Sequence, residues 1–245
     1  MSPQYHNISI VLCNTSHTGN IGSAARAMKT MGLTNLILVD PVVLPDDHSL
    51  ALSCHAKDVV QNAKICTTLA DAIADTSLAF GTTSRKREFN QRFYTPRESI
   101  PEILAAINRD EKVAIVFGSE KNGLSSEQAE LCNRLLTIPG NPEYFSLNLA
   151  SAVQIVAYEL YCGGLNDNHP LMEKLSKVAS TATFADNQGI LFHLDDILQH
   201  INFYTKKERE RTLRNLQHIV HKADLERQEV DLLRGIFKEI QRTLA

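Results

Sequence analysis

Through the first two-thirds of the chain, short runs of β-branched and other apolar residues alternate with stretches whose apolar positions recur at helical spacing. Residues 8–13 predict a buried strand, residues 20–31 an amphipathic helix ending near Gly32, and residues 36–39 a second strand stopped by Asp40-Pro41. Residues 77–81, 113–117 and 135–138 predict three more strands, and residues 63–67 a more polar one. Helix starts are marked between them. Thr95-Pro96-Arg97-Glu98 offers an N-cap, a proline at the first helical position and a glutamate placed for a capping box, and Ser125-Ser126-Glu127-Gln128 repeats the pattern with glutamine. This alternation predicts an α/β fold, a mostly parallel sheet covered by helices on both faces.

Near Gly163-Gly164 the pattern changes to Gly, Asn, Asp, Ser and Thr. The expected organisation is a domain over residues 1–162, a linker over 163–188 with one short helix around 171–178, and a small all-helical C-terminal domain over 189–245. In the last of these, Leu191, Leu194, Ile197, Leu198 and Ile201 share one helical face. Thr205-Lys206-Lys207-Glu208 predicts a capping box opening a helix with an apolar face of Leu213, Leu216, Ile219 and Val220. Asp224 is placed to cap a final helix striped by Val230, Leu233, Ile236, Phe237 and Ile240. Such short helices must pack on each other, on the first domain or on a second subunit.

Composition narrows the class. With 43% hydrophobic and 22% charged residues, the chain reads as a soluble globular protein. No apolar run approaches the roughly 20 residues of a membrane span, and the N-terminus lacks a signal-peptide pattern, so a cytosolic protein is expected. The five cysteines form no C-x-x-C pair and are expected to be buried hydrophobes rather than disulfides or zinc ligands. His218 and His221, with Asp224 nearby, are expected to be an exposed pair rather than a metal site; no metal is expected. The net charge of −3 argues against a wholly basic nucleic-acid binder, yet Arg85, Lys86, Arg87 and Arg92 cluster, as do Lys206, Lys207, Arg209, Arg211 and Arg214. Either cluster suits a polyanion or an ordinary solvated face.

Three loops carry candidate chemistry. The first, Asn14-Thr15-Ser16-His17-Thr18-Gly19-Asn20-Ile21-Gly22-Ser23, follows a strand and opens a helix, with Arg26 one turn further on. Together with Asp40 it admits a dinucleotide-binding reading, although Gly19-x-x-Gly22 lacks the G-x-G-x-x-G order and no Walker lysine follows. The second is Phe117-Gly118-Ser119-Glu120-Lys121-Asn122-Gly123-Leu124. The third runs from Ile138-Pro139-Gly140 through Asn141-Pro142-Glu143-Tyr144 to Ser146-Leu147-Asn148-Leu149-Ala150. Taken singly, Gly118 and Gly123 could be turn glycines and Ser146 an N-cap.

In this order the three segments resemble the signature motifs of the SPOUT-class RNA 2′-O-ribose methyltransferases: N-x-x-x-x-G-N-x-G-x-x-x-R, F-G-x-E-x-x-G-L and I-P…S-L-N-x-x-x-A. The stretches Thr15–Asn20, Arg26–Leu33 and Asn141–Tyr144 are similar to the bacterial TrmJ group, which methylates the ribose of cytidine or uridine at nucleotide 32 of the tRNA anticodon loop. The helical tail also suits that group. The resemblance implies a trefoil knot in the C-terminal part of the α/β domain and S-adenosylmethionine held there by Thr82, Thr83, Ser84, Gly118, Ile138, Ser146 and Leu147. It implies tRNA as partner and a homodimer whose active sites are completed by the partner chain. The RNA contacts expected are Asn14, His17, Asn20, Arg85, Arg87, Lys206, Lys207 and Arg209, with Ser119 standing where some relatives carry arginine. Arg26 and Ser146 are the expected catalytic residues. A guanidinium, with a pKa above about 12, is a poor base, so Arg26 is expected to orient the ribose and its phosphate and to stabilise developing alkoxide charge.

Two other readings stand beside this one: a nicotinamide-dependent oxidoreductase, which leaves the second and third segments unexplained, and a non-catalytic RNA-binding module, which leaves Arg26 unexplained. Methylation at another tRNA or rRNA position is the nearer alternative. A helix over 147–158 offers Leu149, Val153, Val156 and Ala157 both to its own sheet and to a dimer partner.

Overall fold

A computed structural model describes residues 5–84, 92–144, 146–164, 181–204 and 208–244. The helix expected at 171–178 and the candidate RNA contacts Arg85, Arg87, Lys206 and Lys207 lie outside the described residues. Strand β1 (Ile8–Cys13) leads to α1 (Thr18–Thr30) and β2 (Asn35–Val39); α2 (Asp47–Leu52), α3 (Lys57–Gln61), β3 (Lys64–Cys66), α4 (Leu69–Ile73) and β4 (Leu78–Thr82) follow. Then come β5 (Phe93–Tyr94), α5 (Pro96–Asn108), β6 (Val113–Phe117), α6 (Ser126–Leu131), β7 (Arg134–Leu136) and α7 (Leu149–Gly164). The tail contributes α8 (Phe184–His200), α9 (Arg209–Ala223) and α10 (Arg227–Leu244).

The seven strands form one parallel sheet in the order β3-β2-β1-β6-β4-β7-β5. Its central strands are buried on both sides, which is why they read as unbroken apolar runs. One core packs the sheet against α1, α5 and α7, and a second packs its other face against α4 and α6. The capping boxes at Thr95 and Ser125 form as expected. Two-residue β5 is too short to leave a sequence pattern; it exists because β7 supplies its pairing, Phe93 to Leu135 and Tyr94 to Leu136. The strand expected at 135–138 starts one residue earlier and stops at Leu136, where Thr137 donates its N–H to Tyr94 and Ile138 leaves the sheet. Strand β7 therefore lies between β4 and β5, which are consecutive in the chain.

Several expectations are corrected. Helix α8 starts at Phe184, inside the expected linker, because Thr183 and Asp186 form a capping box. Asp224 does not cap the last helix. It ends α9 in the left-handed region, φ 50°, and sends its carboxylate to Arg134 on β7 at 2.5 Å. His221 is buried, not exposed. Cys13, Cys66 and Cys132 are buried as expected, but Cys54 is exposed. Leu149, Val153, Val156 and Ala157 are all buried within their own chain, so that face has nothing left for a partner; Tyr158 and Tyr161 are the large exposed side chains of α7. Of the tail stripes, Ile201, Ile219, Ile236 and Ile240 are exposed, while Ile190, Leu191, Val220 and Val230 make a small core of their own.

The tail docks on the sheet domain. The Phe184 and Ala185 N–H groups bond the Thr76 and Ala74 carbonyls, the Thr181 N–H bonds Glu111, and Gln217 donates to the Glu130 carbonyl. Arg134 is 4% exposed and is gripped from two sides, by Glu102 of α5 and by Asp224. Among the described residues no helix is long and apolar enough to cross a membrane.

Candidate active site

A parallel α/β sheet places its loops' chemistry at the carboxyl ends of the strands. Here the ends of β4, β6 and β7, with the segment before α7, enclose a cleft of about 360 Å³. Thr82, Thr83, Ser84, Gly118, Ile138, Ser146 and Leu147 all line it, so residues spread over 66 positions of sequence meet at one site. Leu124, Leu136, Leu149 and Ala152 add apolar wall. The volume falls in the range of roughly 300–1,000 Å³ usual for small-molecule sites.

The cleft depends on one close backbone approach. A Cβ on Gly118 would lie 1.9 Å from the Gly123 carbonyl carbon and 2.0 Å from the Leu124 nitrogen. Residues 118–124 are a tight turn closed by the Gly123 N–H on the Ser119 carbonyl at 2.8 Å, with Gly123 at φ 68°. The hydroxyls of Thr82, Thr83 and Ser84, the bare backbone at Gly118 and the apolar wall suit a ligand with an adenine-sized apolar face and polar ends, as S-adenosylmethionine has.

The first loop does not line this cleft. It is wired to it through Glu120, a residue the sequence reading did not single out. The Glu120 carboxylate accepts from Thr15 Oγ1 at 2.6 Å, from the Ser16 N–H and Oγ at 3.0 and 3.1 Å, and from Asn20 Nδ2 at 2.9 Å. Asn148 extends the network. Its Nδ2 donates to Asn20 Oδ1 at 2.9 Å, while its Oδ1 accepts from the Ala150 and Ser151 N–H groups. Asn148, not Ser146, therefore caps α7 and joins the third segment to the first. Burial pushes the Glu120 carboxyl up, but the hydrogen bonds from Asn20, Thr15 and Ser16 outweigh it and bring it down to about 2. The available signal was the fixed acid two residues past Gly118, at the end of an apolar strand.

Other expected site residues are placed as follows. Arg26 is on the exposed face of α1, outside the cleft lining, and no acid pairs with it among the described residues. His17 is exposed at the N-cap position of α1 and makes no capping bond. Asn14 is engaged at both ends of its amide, donating to Asp40 and accepting from Gln128 Nε2. Asn20 is likewise committed to Glu120 and Asn148. Arg209 forms a two-pronged ion pair with Asp195, at 2.6 and 3.1 Å, that ties α9 to α8.

The features behind a dinucleotide site have other employment. A Cβ on Gly22 would fall 2.1 Å from the Ser49 carbonyl oxygen, so this glycine lets α1 and α2 touch. Asp40 already receives the Asn14 amide.

Residues 7–158 match the model of the SpoU rRNA Methylase family. The chain belongs to the SpoU methylase family. Its residues 185–245 match a second model, the C-terminal domain of the tRNA methyltransferase TrmJ. A Yersinia enterocolitica protein named tRNA (cytidine/uridine-2′-O-)-methyltransferase TrmJ is 42% identical over 241 residues, which are 97% of this chain and 92% of that one. A crystal structure of TrmJ from Z. mobilis ZM4 superposes with a TM-score of 0.81 at 29% identity, covering 95% of this chain and 98% of that chain. A more distant SpoU methyltransferase, AviRb from Streptomyces viridochromogenes, described in complex with the cofactor AdoMet, shares the fold at a TM-score of 0.53 and 18% identity, over 64% of this chain and 60% of that one. SpoU membership accounts for the second and third loops, which an oxidoreductase left without a role.

Proposed function

We propose that this protein transfers a methyl group from S-adenosylmethionine to the ribose 2′-hydroxyl of a cytidine or uridine in tRNA, at nucleotide 32 of the anticodon loop. The observation that carries the reading is the convergence of the seven expected cofactor residues on one cleft. The near full-length similarity to proteins named for 2′-O-methylation of cytidine and uridine in tRNA supports the substrate.

The bound cofactor would supply a methyl carbon made electrophilic by its sulfonium. Thr82, Thr83, Ser84 and the backbone around Gly118 and Ile138 hold and orient it, and Ser146 sits at the mouth to position the ribose or the cofactor carboxylate. The guanidinium of Arg26, unpaired among the described residues, orients the ribose and its adjacent phosphate and stabilises charge on the attacking oxygen. Proton loss then goes to phosphate or water, since a guanidinium is a poor acceptor. Because Arg26 stands outside the cleft of its own chain, a dimer in which one chain's Arg26 serves the partner's cleft suits this arrangement. Insertion of β7 between β4 and β5 is compatible with a trefoil knot in this part of the chain.

Incubation with labelled S-adenosylmethionine and bulk tRNA, followed by mapping of the modified nucleotide, tests the reading. Label in the ribose of nucleotide 32 is expected. Label at another position would relocate the substrate, and no label in tRNA would overturn the proposal.

A further inference from the structure

Among the described residues, those lining the cleft include one cation, Lys121, and one anion, Glu120. They are neighbours in sequence but face opposite tasks. Glu120 is turned toward the first loop and spends its carboxylate on Thr15, Ser16 and Asn20. Lys121 is exposed, and no acid pairs with it among the described residues. The turn that carries it is stiff: the Ser119 carbonyl accepts from the Gly123 N–H, and Ser119 Oγ accepts from the Asn122 N–H at 3.3 Å. The tight turn fixes the backbone of Lys121 beside the cleft and leaves its amine open to solvent, with no acid paired to it among the described residues.

We propose that Lys121 is a substrate-binding residue that contacts a backbone phosphate next to the ribose being methylated. The inference rests on the RNA methyltransferase reading of the site. Two anions could meet this amine, the RNA phosphate and the cofactor carboxylate. The solvent-facing position favours the phosphate, because an exposed ammonium gives a small ligand little, whereas on a polyanion each phosphate contact releases counterions. The cleft's inner wall, Leu136, Ile138 and Thr82, is neutral and the Glu120 carboxylate is engaged by the first loop, so among the described lining residues the Lys121 amine is the charge left open to an approaching phosphate.

The experiment compares the full chain with Lys121→Ala, Lys121→Glu and Lys121→Arg, reading S-adenosylmethionine affinity by calorimetry and tRNA affinity across a salt series. For Lys121→Ala, tRNA affinity should fall about three- to tenfold at low salt and the slope of log affinity against log salt should shrink by roughly 0.7–0.9. Lys121→Glu should lose more, Lys121→Arg should restore binding, and cofactor affinity should stay within about twofold throughout. Loss of cofactor affinity with tRNA binding unchanged would assign the amine to the cofactor carboxylate and overturn the proposal. An unchanged salt slope would also overturn it, leaving Lys121 a solvated side chain. The slope is read whether or not methyl transfer occurs, so a failure of the parent reading and a failure of this one are told apart.

Discussion

Gly118 and Glu120 show what a motif residue does once its surroundings are known. Both belong to F-G-x-E, yet one is an empty space and the other a latch. At Gly118 a side chain has nowhere to go, since backbone atoms, which cannot rotate aside, stand 1.9–2.3 Å from the Cβ position. Gly118→Ala should therefore force the 118–124 turn open and weaken S-adenosylmethionine binding at least about tenfold, measurable by calorimetry, while the sheet still melts cooperatively. Glu120→Gln keeps the shape but replaces an acceptor by a donor facing Ser16 N–H, Thr15 and Asn20. A carboxylate whose folded pKa lies below its unfolded one stabilises fully above the unfolded value and loses that contribution as pH falls through about 2. Stability of the Gln variant should thus differ from wild type at pH 7 and converge with it in acid, a comparison thermal melts can make. Arg26→Ala should remove methyl transfer at saturating tRNA with cofactor affinity nearly intact, because Arg26 is absent from the cleft wall; normal turnover would reduce it to a surface residue. Sequence order alone could name the glycines but could not separate Gly22, which serves a helix contact, from Gly118, which shapes the cleft, since both are simply places without a side chain.

At the scale of elements, the parts with strong periodicity were legible. Strands β1 and β6 fall where the apolar runs lie, and α5 starts at its capping box. What sequence could not give depends on partners distant in the chain: β5 needs β7 beside it, and α8 begins early because Thr183 meets Asp186 while Phe184 docks beside Thr76. His221 on α9 is the sharpest case. Three residues from His218, it looked like one of two solvated histidines. It is buried instead where α9 meets the sheet domain, its Nδ1 finds no hydrogen-bond partner among the described residues, and it lies near the Arg134 cation with Asp224 three residues on. Burial, and then the charges of His218 and Arg134, push His221 down to about 4. Protonation is favoured in the unfolded chain and resisted in the folded one, so this residue's contribution is complete above about pH 6.5 and is lost as pH falls toward 4. The full shift corresponds to about 3 kcal/mol. Hydrogen exchange in α9 should therefore accelerate between pH 6.5 and 4.5 beyond its intrinsic change, and His221→Leu should remove that acceleration. An α9 as well protected at pH 4.5 as at pH 7 would show that the histidine is solvated after all.

The whole molecule joins the sheet domain to a tail that carries exposed bases, and a structural role of the tail can be tested apart from the RNA-binding role expected of it. Arg211 and Arg214 are exposed on α9, whereas Arg209 is occupied by Asp195. Asp224, by contrast, spends its carboxylate on the buried Arg134, so it belongs to the joint although its side chain stays partly exposed. Residues up to Gly164 contain both cores of the sheet apart from the packing of Phe184, and among the described residues none that lines the cleft comes from the tail. A chain ending at Gly164 should therefore fold and retain S-adenosylmethionine binding. It should melt lower, because Arg134 loses one of its two acids and a buried cation keeps only Glu102. It should also lose most of its tRNA affinity. Asp224→Ala in the full chain distinguishes the causes: it should lower stability by about 1–3 kcal/mol while tRNA affinity and its salt slope stay near wild type. Arg211→Ala with Arg214→Ala should do the reverse, flattening the salt slope with little change in melting temperature. If the double arginine variant kept the full slope, the tail would be a structural buttress only, and a monomer for the shortened chain against a dimer of 27.3 kDa subunits for the full one would identify the second subunit as what it supports.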